Sequence, residues 1–409
     1  MSKSQLSFNN TELAFQYKSD KDLKDAAVLF GLMSRPLLVK IGTLLTPWAI
    51  KAQLPVKGII RRTIFKQFAG GESLERTADV AKTLGKYHVN VILDYGVEGG
   101  GGNDAEYDQA ATEFIKVVSY AASQPNTPFM SVKVTGLTRF SLLEKLEALM
   151  TQKEGSLIKR YLGAIEDLPS EEKEEWHRVR LRMMRVCEKA AELNIGMLVD
   201  AEETWIQNPV DALVMLMMDS FNKGRVVIYN TIQHYRHDRL QFLKESIDAA
   251  RERGFILGIK LVRGAYMEKE RKRALKNGYP SPIHIDKQSC DKDFDAGVSL
   301  CIDNLEHVSV LVASHNENSN RLAVQKMEQL NIPLNHSHVS FSQLYGMSDN
   351  ITFNLANIGC NVSKYLPFGP IEDVIPYLMR RAEENTSVKG QTGRELSLIQ
   401  TELQRRKQS

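Results

Sequence analysis

The chain has 409 residues, of which 43% are hydrophobic and 25% charged, a balance typical of a folded globular protein. A formal net charge of +3 is close to neutral for this length, so no nucleic acid or other polyanion is indicated as a partner. The four cysteines form no CxxC pair, which argues against a disulfide framework and a zinc knuckle and favours a reducing compartment.

The N-terminal part of the chain, residues 1–70, is predicted to be a helical segment that precedes the main domain. Its second helical stretch, RPLLVKIGTLLTPWAIKAQ, is apolar but interrupted by Lys40 and Lys51, with Pro47 inside. Such a stretch can lie on a membrane surface or pack on the main body, and we favour packing. No run reaches about 18 uninterrupted apolar residues, so no transmembrane segment is expected.

From residue 72 onwards, apolar strand-like segments alternate with helical ones. Eight strands, each followed by a helix, predict an α/β fold, a parallel (β/α)8 TIM-like barrel over residues 71–395. A doubly wound open sheet is the alternative, and the count of eight favours the barrel. The predicted strands span 88–96, 129–137, 196–203, 225–233, 256–264, 308–316, 338–346 and 361–369.

Three other segments have distinctive compositions. Residues 140–178 are helical and highly charged, which indicates solvated helices inserted after the second strand. Gly99–Gly102 follow the first strand and are expected to form a flexible loop. The polar tail, assigned to residues 396–409, is expected to fray.

The last strand is predicted to end at Tyr365, before a break at Pro367, Gly369 and Pro370. A helix follows, with Arg380 and Arg381 beside its apolar face. Two adjacent guanidinium groups there indicate either a carboxylate ligand, which their planar shape matches, or acidic partners such as nearby glutamates. The apolar stripe consists of Ile371, Val374, Ile375, Leu378, Met379 and Ala382.

Polar and ionisable groups occur at the C-terminal end of nearly every predicted strand, where barrel enzymes place their active sites. Positive and negative groups nearly balance, which indicates a polar cavity with an anion-binding part. No HExxH, Walker A or GxGxxG motif occurs, and His234 with His237, or His336 with His338, lacks a third ligand, so we expect no metal. These strand-end groups are Asp94, Glu98, Lys133, Asp200, Glu202, Gln233, Lys260, Arg263, Tyr266, His315, Asn316, Gln343, Leu344, Tyr345 and Tyr365.

Six motifs, one after another along the chain, are similar to those of the proline dehydrogenase family, above all its monofunctional, mitochondrial-type branch. The resemblance implies a distorted barrel that holds FAD without a covalent bond. It also implies oxidation of L-proline to Δ1-pyrroline-5-carboxylate by hydride transfer from C5 to flavin N5, with electrons passed to a membrane quinone. The motifs are VILDYGVE (91–98), LVDAEE (198–203), YNTIQHY (229–235), KLVRGAYMEKER (260–271), ASHN (313–316) and KYLPFGPIEDVIPYLMRRAEEN (364–385).

The resemblance also assigns residue roles. Glu98 is expected to pair with Arg380 and help close a lid, and Glu384 to orient an arginine. Lys260 and Met267 depart from the arginine and tryptophan of bifunctional relatives. FAD would be held by Asp200, Thr231, Gln233, Lys260, Arg263, Ala265, Ser314, His315 and Asn316. The proline pocket, catalytic except for Leu344, would comprise Lys133, Asp200, Tyr266, Leu344, Tyr365, Arg380 and Arg381.

The resemblance further implies a cytoplasmic enzyme that can attach peripherally to the inner face of the membrane. Its product would pass to a separate pyrroline-5-carboxylate dehydrogenase. Three alternatives stay open: a hydroxyproline dehydrogenase of the same family, which Tyr365 disfavours because it would crowd a 4-hydroxyl; a flavin-free Schiff-base lyase using Lys133 or Lys260; and a protein that senses proline without turnover.

Overall fold

A computed structural model describes residues 6–51, 56–96, 102–387 and 391–408. Eight parallel strands close into a barrel in chain order, which confirms the predicted fold class and shows that the open sheet is wrong. The strands are β1 (Val89–Tyr95), β2 (Phe129–Val132), β3 (Gly196–Val199), β4 (Ile228–Gln233), β5 (Leu257–Val262), β6 (Val308–Ala313), β7 (Val339–Leu344) and β8 (Val362–Phe368).

Helices precede β1 and connect the strands. Between β2 and β3 the chain forms three helices, which confirms the predicted helical insertion. A π-helical turn at Arg61–Phe65 and a 3-10 turn at Val134–Gly136 supplement the α-helices. Within the described ranges the α-helices are α1 (Thr11–Phe15), α2 (Asp20–Met33), α3 (Pro36–Lys51), α4 (Lys57–Ile60), α5 (Lys66–Phe68), α6 (Leu74–Gly85), α7 (Asp104–Ser123), α8 (Phe140–Thr151), α9 (Leu157–Glu166), α10 (Ser170–Leu193), α11 (Thr204–Phe221), α12 (Arg239–Arg253), α13 (Met267–Asn277), α14 (Lys287–Asp303), α15 (Glu317–Gln329), α16 (Asp349–Asn357), α17 (Ile371–Ser387) and α18 (Gln391–Gln408).

The chain divides into two compact units. Unit 1 takes residues 1–97, 315–317 and 341–409, and unit 2 takes residues 98–314 and 318–340. The units divide the chain differently from the boundary predicted at residue 70, which stays a prediction. Unit 1 combines the N-terminal helices with the last strand and the last helices, whereas unit 2 is nearly continuous in sequence.

The core of unit 1 joins the two ends of the chain. The predicted apolar stripe of α17 is confirmed, because Ile371, Val374 and Leu378 are buried in one cluster with Phe30 of α2. The cluster also receives Leu398 from α18, together with the neighbouring Ile399. Helix α2 therefore packs through one face on α17 and α18.

Two predictions for the C-terminal part are wrong. Strand β8 runs from Val362 to Phe368, which agrees with the predicted span 361–369, but the predicted end at Tyr365 is wrong. Beyond Tyr365 the Pro367 carbonyl still accepts a hydrogen bond from the Gly70 backbone N–H at 2.7 Å. The tail does not fray, because it forms α18 and buries Leu398 and Ile399. The polar composition of this segment gave no indication that it forms an amphipathic helix.

The insertion of unit 2 is less solvated than its charge suggested. Helices α8–α10 bury Trp176 and Tyr161 completely, and the Trp176 indole N–H donates to the Tyr161 hydroxyl at 2.9 Å. Leu142 and Leu146 of α8 are also fully buried. The expectation of solvated helices is therefore wrong for one face of the insertion.

No single helix in the described ranges is both long and apolar enough to cross a membrane. The helical segments Asp20–Met33 and Pro36–Leu44 reach the necessary length and apolar composition only when they are taken together, and the chain bends by 90° between them.

Candidate active site

A compact charged cluster lies in unit 2, at the ends of its strands. Lys133 directly follows β2, Asp200 directly follows β3, and Lys260 lies in β5. The Lys260 ammonium donates to one Asp200 carboxylate oxygen, and the Lys133 ammonium is 3.6 Å from the other. All three side chains are at least about 88% buried, with exposures of 10% for Lys133, 12% for Asp200 and 7% for Lys260. The three charged side chains therefore form one poorly hydrated cluster.

Strand β4 of unit 2 carries two side chains with buried polar atoms. The register of β4 and β5 sets Thr231 beside Lys260. Thr231 Oγ1 and Gln233 Oε1 are both buried, and no described residue forms a hydrogen bond with either. The Gln233 amide N–H donates to the Glu202 carbonyl at 2.9 Å, which fixes the orientation of that side chain. Buried polar atoms of this kind need a partner, so they fit a bound group rich in hydrogen-bonding atoms, such as a flavin cofactor.

Arg263 follows β5 and is held by its protein neighbours. Its guanidinium donates to Asp291 at 2.7 Å, to the Ser314 hydroxyl at 2.8 Å and to the Ser319 hydroxyl at 2.9 Å. Burial raises the pKa of Asp291, but the Lys287 hydrogen bond and the Arg263 charge lower it below its ordinary value. The predicted residues Arg263 and Ser314 are therefore brought together by contacts that fix the arginine.

Other predicted residues of unit 2 lie close in sequence to this group. Ala265 is exposed, and Tyr266 is half-buried immediately before α13. Glu98 and Gly99–Gly101 lie outside the described residues, so the lid and loop predictions stay predictions.

In unit 1, the predicted pocket residues come from β7, β8 and α17. The register of β7 and β8 sets Leu344 beside Tyr365, which is 8% exposed. Arg381 is also 8% exposed, and its guanidinium lies 5.3 Å from the centre of the Tyr377 ring. Arg380 precedes it and is half-buried, while Glu384 lies in the same helix with its side chain outside the described residues.

His315 is fixed by a chain of hydrogen bonds that the sequence did not predict. Its Nδ1 lies 2.8 Å from the Ser348 hydroxyl, and the Ser348 backbone N–H donates to the Glu395 carboxylate of α18. Burial, followed by the Asp349 charge, raises the pKa of Glu395 to about 7. Asn316, next to His315, is half-buried. One sequence signal existed, because Glu395 shares a helical face with Leu398 and Ile399.

Metal-ligating side chains do not cluster in the described part of the chain. No group of three or more histidine, cysteine, aspartate or glutamate residues there is arranged to hold an ion. His234 is buried, and this burial lowers its pKa to about 3.

The family model described as proline dehydrogenase matches residues 77–394. Proline dehydrogenase 1, mitochondrial, from Arabidopsis thaliana is 33% identical over 94% of this chain and 83% of its own length. Hydroxyproline dehydrogenase from Xenopus laevis is 30% identical over 96% of this chain and 88% of its own length.

Among solved structures, proline utilization A from Bdellovibrio bacteriovorus superposes with a TM-score of 0.69 at 21% identity. The match covers 95% of this chain but only 40% of that longer one, and at this identity it shows the fold alone. The family match spans all eight strands, and the two similar sequences are covered over most of their length. This chain therefore belongs to the proline dehydrogenase family, a family of oxidoreductases.

Proposed function

We propose that this chain oxidises L-proline to Δ1-pyrroline-5-carboxylate with FAD as its cofactor. The observation that carries the proposal is the family match over residues 77–394, which includes every strand of the barrel. The balance is simple: proline C5 loses a hydride, the ring nitrogen loses a proton, and a C=N bond forms between them. FAD, when bound, would accept the hydride.

The cofactor roles proposed here follow the family resemblance and are supported by the buried polar atoms of β4. Thr231 and Gln233 would hydrogen-bond FAD through the two atoms that no described residue satisfies. Lys260 would place a positive charge beside FAD, and its hydrogen bond to Asp200 would hold the ammonium in position. The other proposed FAD ligands are Arg263, Ala265, Ser314, His315 and Asn316.

The substrate roles rest on charge and shape. Arg380 and Arg381 would bind the proline carboxylate, because paired guanidinium donors match a carboxylate and fix the ring for hydride transfer. Lys133 and Asp200 would complete the polar part of the pocket. The residues proposed to pack the apolar ring are Tyr266, Leu344 and Tyr365; Glu98 and Glu384 would orient the arginines.

The finer proposals concern what lies beyond the pocket. Electrons would pass to a membrane quinone, and the product would pass to a separate pyrroline-5-carboxylate dehydrogenase. We propose a cytoplasmic enzyme that attaches peripherally to the inner face of the membrane, with no nucleic acid among its partners.

The experiment that tests the proposal is the visible spectrum of the purified protein, recorded anaerobically before and after L-proline. Flavin bands that bleach with L-proline are the expected result. The matched control is D-proline, which offers the same groups in the wrong arrangement around Cα and should bleach the bands far more slowly.

A hydroxyproline dehydrogenase is the second candidate, because the similar Xenopus laevis protein carries that name. We place it second because the family resemblance sets Tyr365 in the proline pocket, where a tyrosine would crowd a 4-hydroxyl. Bands that bleach with hydroxyproline and not with proline would reverse this order. A colourless protein that FAD does not reconstitute would contradict both candidates and favour the Schiff-base lyase, which borohydride trapping at Lys133 or Lys260 would detect.

A further inference from the structure

A turn follows β7 in unit 1 and ends at the serine that contacts His315. The turn spans residues 345–348, and two of its residues have positive backbone φ angles, Gly346 at 79° and Ser348 at 51°. A side chain at Gly346 would clash with the backbone of Gln67, since its Cβ would lie 2.0 Å from that carbonyl oxygen. A serine in the left-handed region is uncommon, so surrounding contacts must hold this backbone in place.

Ser348 is the N-cap residue of α16, but its hydroxyl does not cap that helix. An N-cap serine ordinarily accepts a hydrogen bond from a backbone N–H of the first helical turn. No N–H of α16, a helix that the structure describes in full, donates to the Ser348 hydroxyl, which lies 2.8 Å from His315 Nδ1 instead. The hydroxyl is therefore committed to the imidazole ring at the expense of a helix cap.

Asp349 follows the turn and is held by buried partners from two other segments. The Lys364 ammonium of β8 lies 2.8 Å from one carboxylate oxygen, and the Tyr17 hydroxyl donates to the other at 2.8 Å. The same ammonium also donates to the Met347 carbonyl of the turn at 2.5 Å. These contacts fix the backbone on both sides of Ser348.

Glu395 of α18 holds the turn from the C-terminal part of the chain. Its carboxylate accepts a hydrogen bond from the backbone N–H of Ser348, the residue in the left-handed conformation. Because no other described residue accepts from this N–H, removing the Glu395 side chain would leave a buried donor unsatisfied. It would also free the backbone that carries the hydroxyl.

We propose that Glu395 is a positioning residue for FAD: through the 345–348 turn it holds the His315 imidazole in the position from which it binds the cofactor. The inference rests on the proposed function, because His315 is one of the FAD ligands proposed there. Glu395 lies just beyond residues 77–394, which the family model matches, so that match gives it no role. Helix α18 thereby becomes part of the structure that retains the cofactor.

The test is the rate at which FAD leaves the holoenzyme, followed by the recovery of flavin fluorescence after dilution. Glu395→Ala should speed release by about tenfold, because a hydrogen bond that holds the turn is lost and a buried N–H is left unsatisfied. Glu395→Gln should release FAD at close to the parental rate, since its amide oxygen can still accept from the Ser348 N–H. Release from Glu395→Gln as fast as from Glu395→Ala would contradict the role of this hydrogen bond.

Ser348→Ala tests the second contact of the series. It removes only the hydroxyl that contacts His315, and it should also speed release by about tenfold. When it is combined with Glu395→Ala, the two effects should not multiply, because residues in one hydrogen-bonded series are coupled. A double variant whose release is accelerated by the product of the two single effects would show that Glu395 acts independently of His315.

Glu402→Ala is the matched control. Glu402 is a buried glutamate of the same helix, but its hydrogen bonds join it to Thr11, Arg405 and Arg406 rather than to the turn. This variant should be less stable in urea and yet release FAD at the parental rate. Equal acceleration of release by Glu402→Ala and Glu395→Ala would overturn the proposal, because any loosening of α18 would then be sufficient.

The remaining outcomes separate this inference from the proposed function. FAD release at the parental rate from Glu395→Ala would overturn the inference alone, whereas a parent protein that binds no FAD would contradict the proposed function and the inference with it. At saturating FAD the KM for proline should be unchanged in Glu395→Ala, and a raised KM with normal release would move the role of Glu395 to the substrate. If Glu395→Ala does not fold, Ser348→Ala decides, since release at the parental rate there would overturn the proposal.

Discussion

At the scale of single residues, Asp200 and Asp219 show how burial changes the contribution of an ion pair to stability. Each aspartate contacts two cations: Asp200 contacts Lys133 and Lys260, while Asp219 contacts two surface side chains. The Asp200 side chain is 12% exposed and that of Asp219 is 23% exposed, and the partners of Asp219 lie in solvent. Removing the Asp200 carboxylate takes away a charged partner that two buried ammoniums share, and breaking a buried ion pair is costly.

We therefore expect Asp200→Asn to lower the free energy of unfolding by about 3 kcal/mol, measured by urea denaturation of the protein without added substrate. Asp219→Asn is the matched control and should cost less than about 1 kcal/mol, since surface pairs contribute little. If the two variants lost equal stability, the Lys133–Asp200–Lys260 cluster would not be the buried, poorly hydrated group described above.

Arg380 and Arg381 give a prediction about substrate affinity. Replacing either one by methionine should raise the KM for proline strongly, because losing a charged hydrogen bond to a buried carboxylate costs about 2–5 kcal/mol. Arg139→Met is the control, since that arginine pairs with Glu172 and Glu175 in the insertion and should leave the KM unchanged. Steady-state kinetics with a soluble dye measure both, and an unchanged KM in both α17 variants would show that the carboxylate is held elsewhere.

At the scale of elements, α18 carries two buried glutamates whose pKa values move in opposite directions. Burial and the Asp349 charge raise the pKa of Glu395 to about 7. Burial also raises the pKa of Glu402, but hydrogen bonds from Arg405, Arg406 and Thr11 outweigh it and lower the value to about 2. One helix therefore contains a carboxyl group that favours its neutral form and another that favours its ionised form.

The two glutamates should give opposite pH dependences of stability. Glu395 binds its proton more tightly in the folded state, so its contribution is complete below pH 4.5, its ordinary pKa, and is lost as the pH rises through about 7. Glu395→Gln, which imitates the neutral form, should therefore remove a decline on the order of 3 kcal/mol between pH 5 and 8.

Glu402 behaves in the reverse sense, since its contribution is complete above its ordinary pKa of 4.5 and is lost as the pH falls towards about 2. Glu402→Gln should destabilise the protein at pH 7 and approach the parent stability in acid. Urea denaturation across the pH range measures both variants, and parallel curves for the two would contradict the assignment.

At the scale of the whole molecule, the barrel was readable from the sequence because each strand core is a short apolar run between turn residues. Strand-end positions such as Lys133, Asp200 and Lys260 followed from that pattern, since parallel strands deliver their ends to one side. The cofactor itself did not follow from the strands; it came from the resemblance of the motifs.

What the sequence could not predict depends on contacts between distant segments. The partner of Arg263 is Asp291, 28 residues later, and the partner of Ser348 is Glu395, 47 residues later. No local spacing links such pairs. The prediction of a frayed tail rested on the average polarity of that segment. Its periodicity was the better guide, because Leu398 and Ile399 lie on one apolar helical face and are buried.

The hydrogen bond between Thr11 and Glu402 joins residues separated by 391 positions and bears on the order of folding. Unit 1 takes its core from both ends of the chain, while residues 98–314 of unit 2 are continuous. During synthesis the chain emerges from its N-terminus, and contacts between distant positions wait until both partners exist. Helices α1 and α2 are therefore synthesised long before α18, against which they pack, and these contacts form only once synthesis has reached that helix.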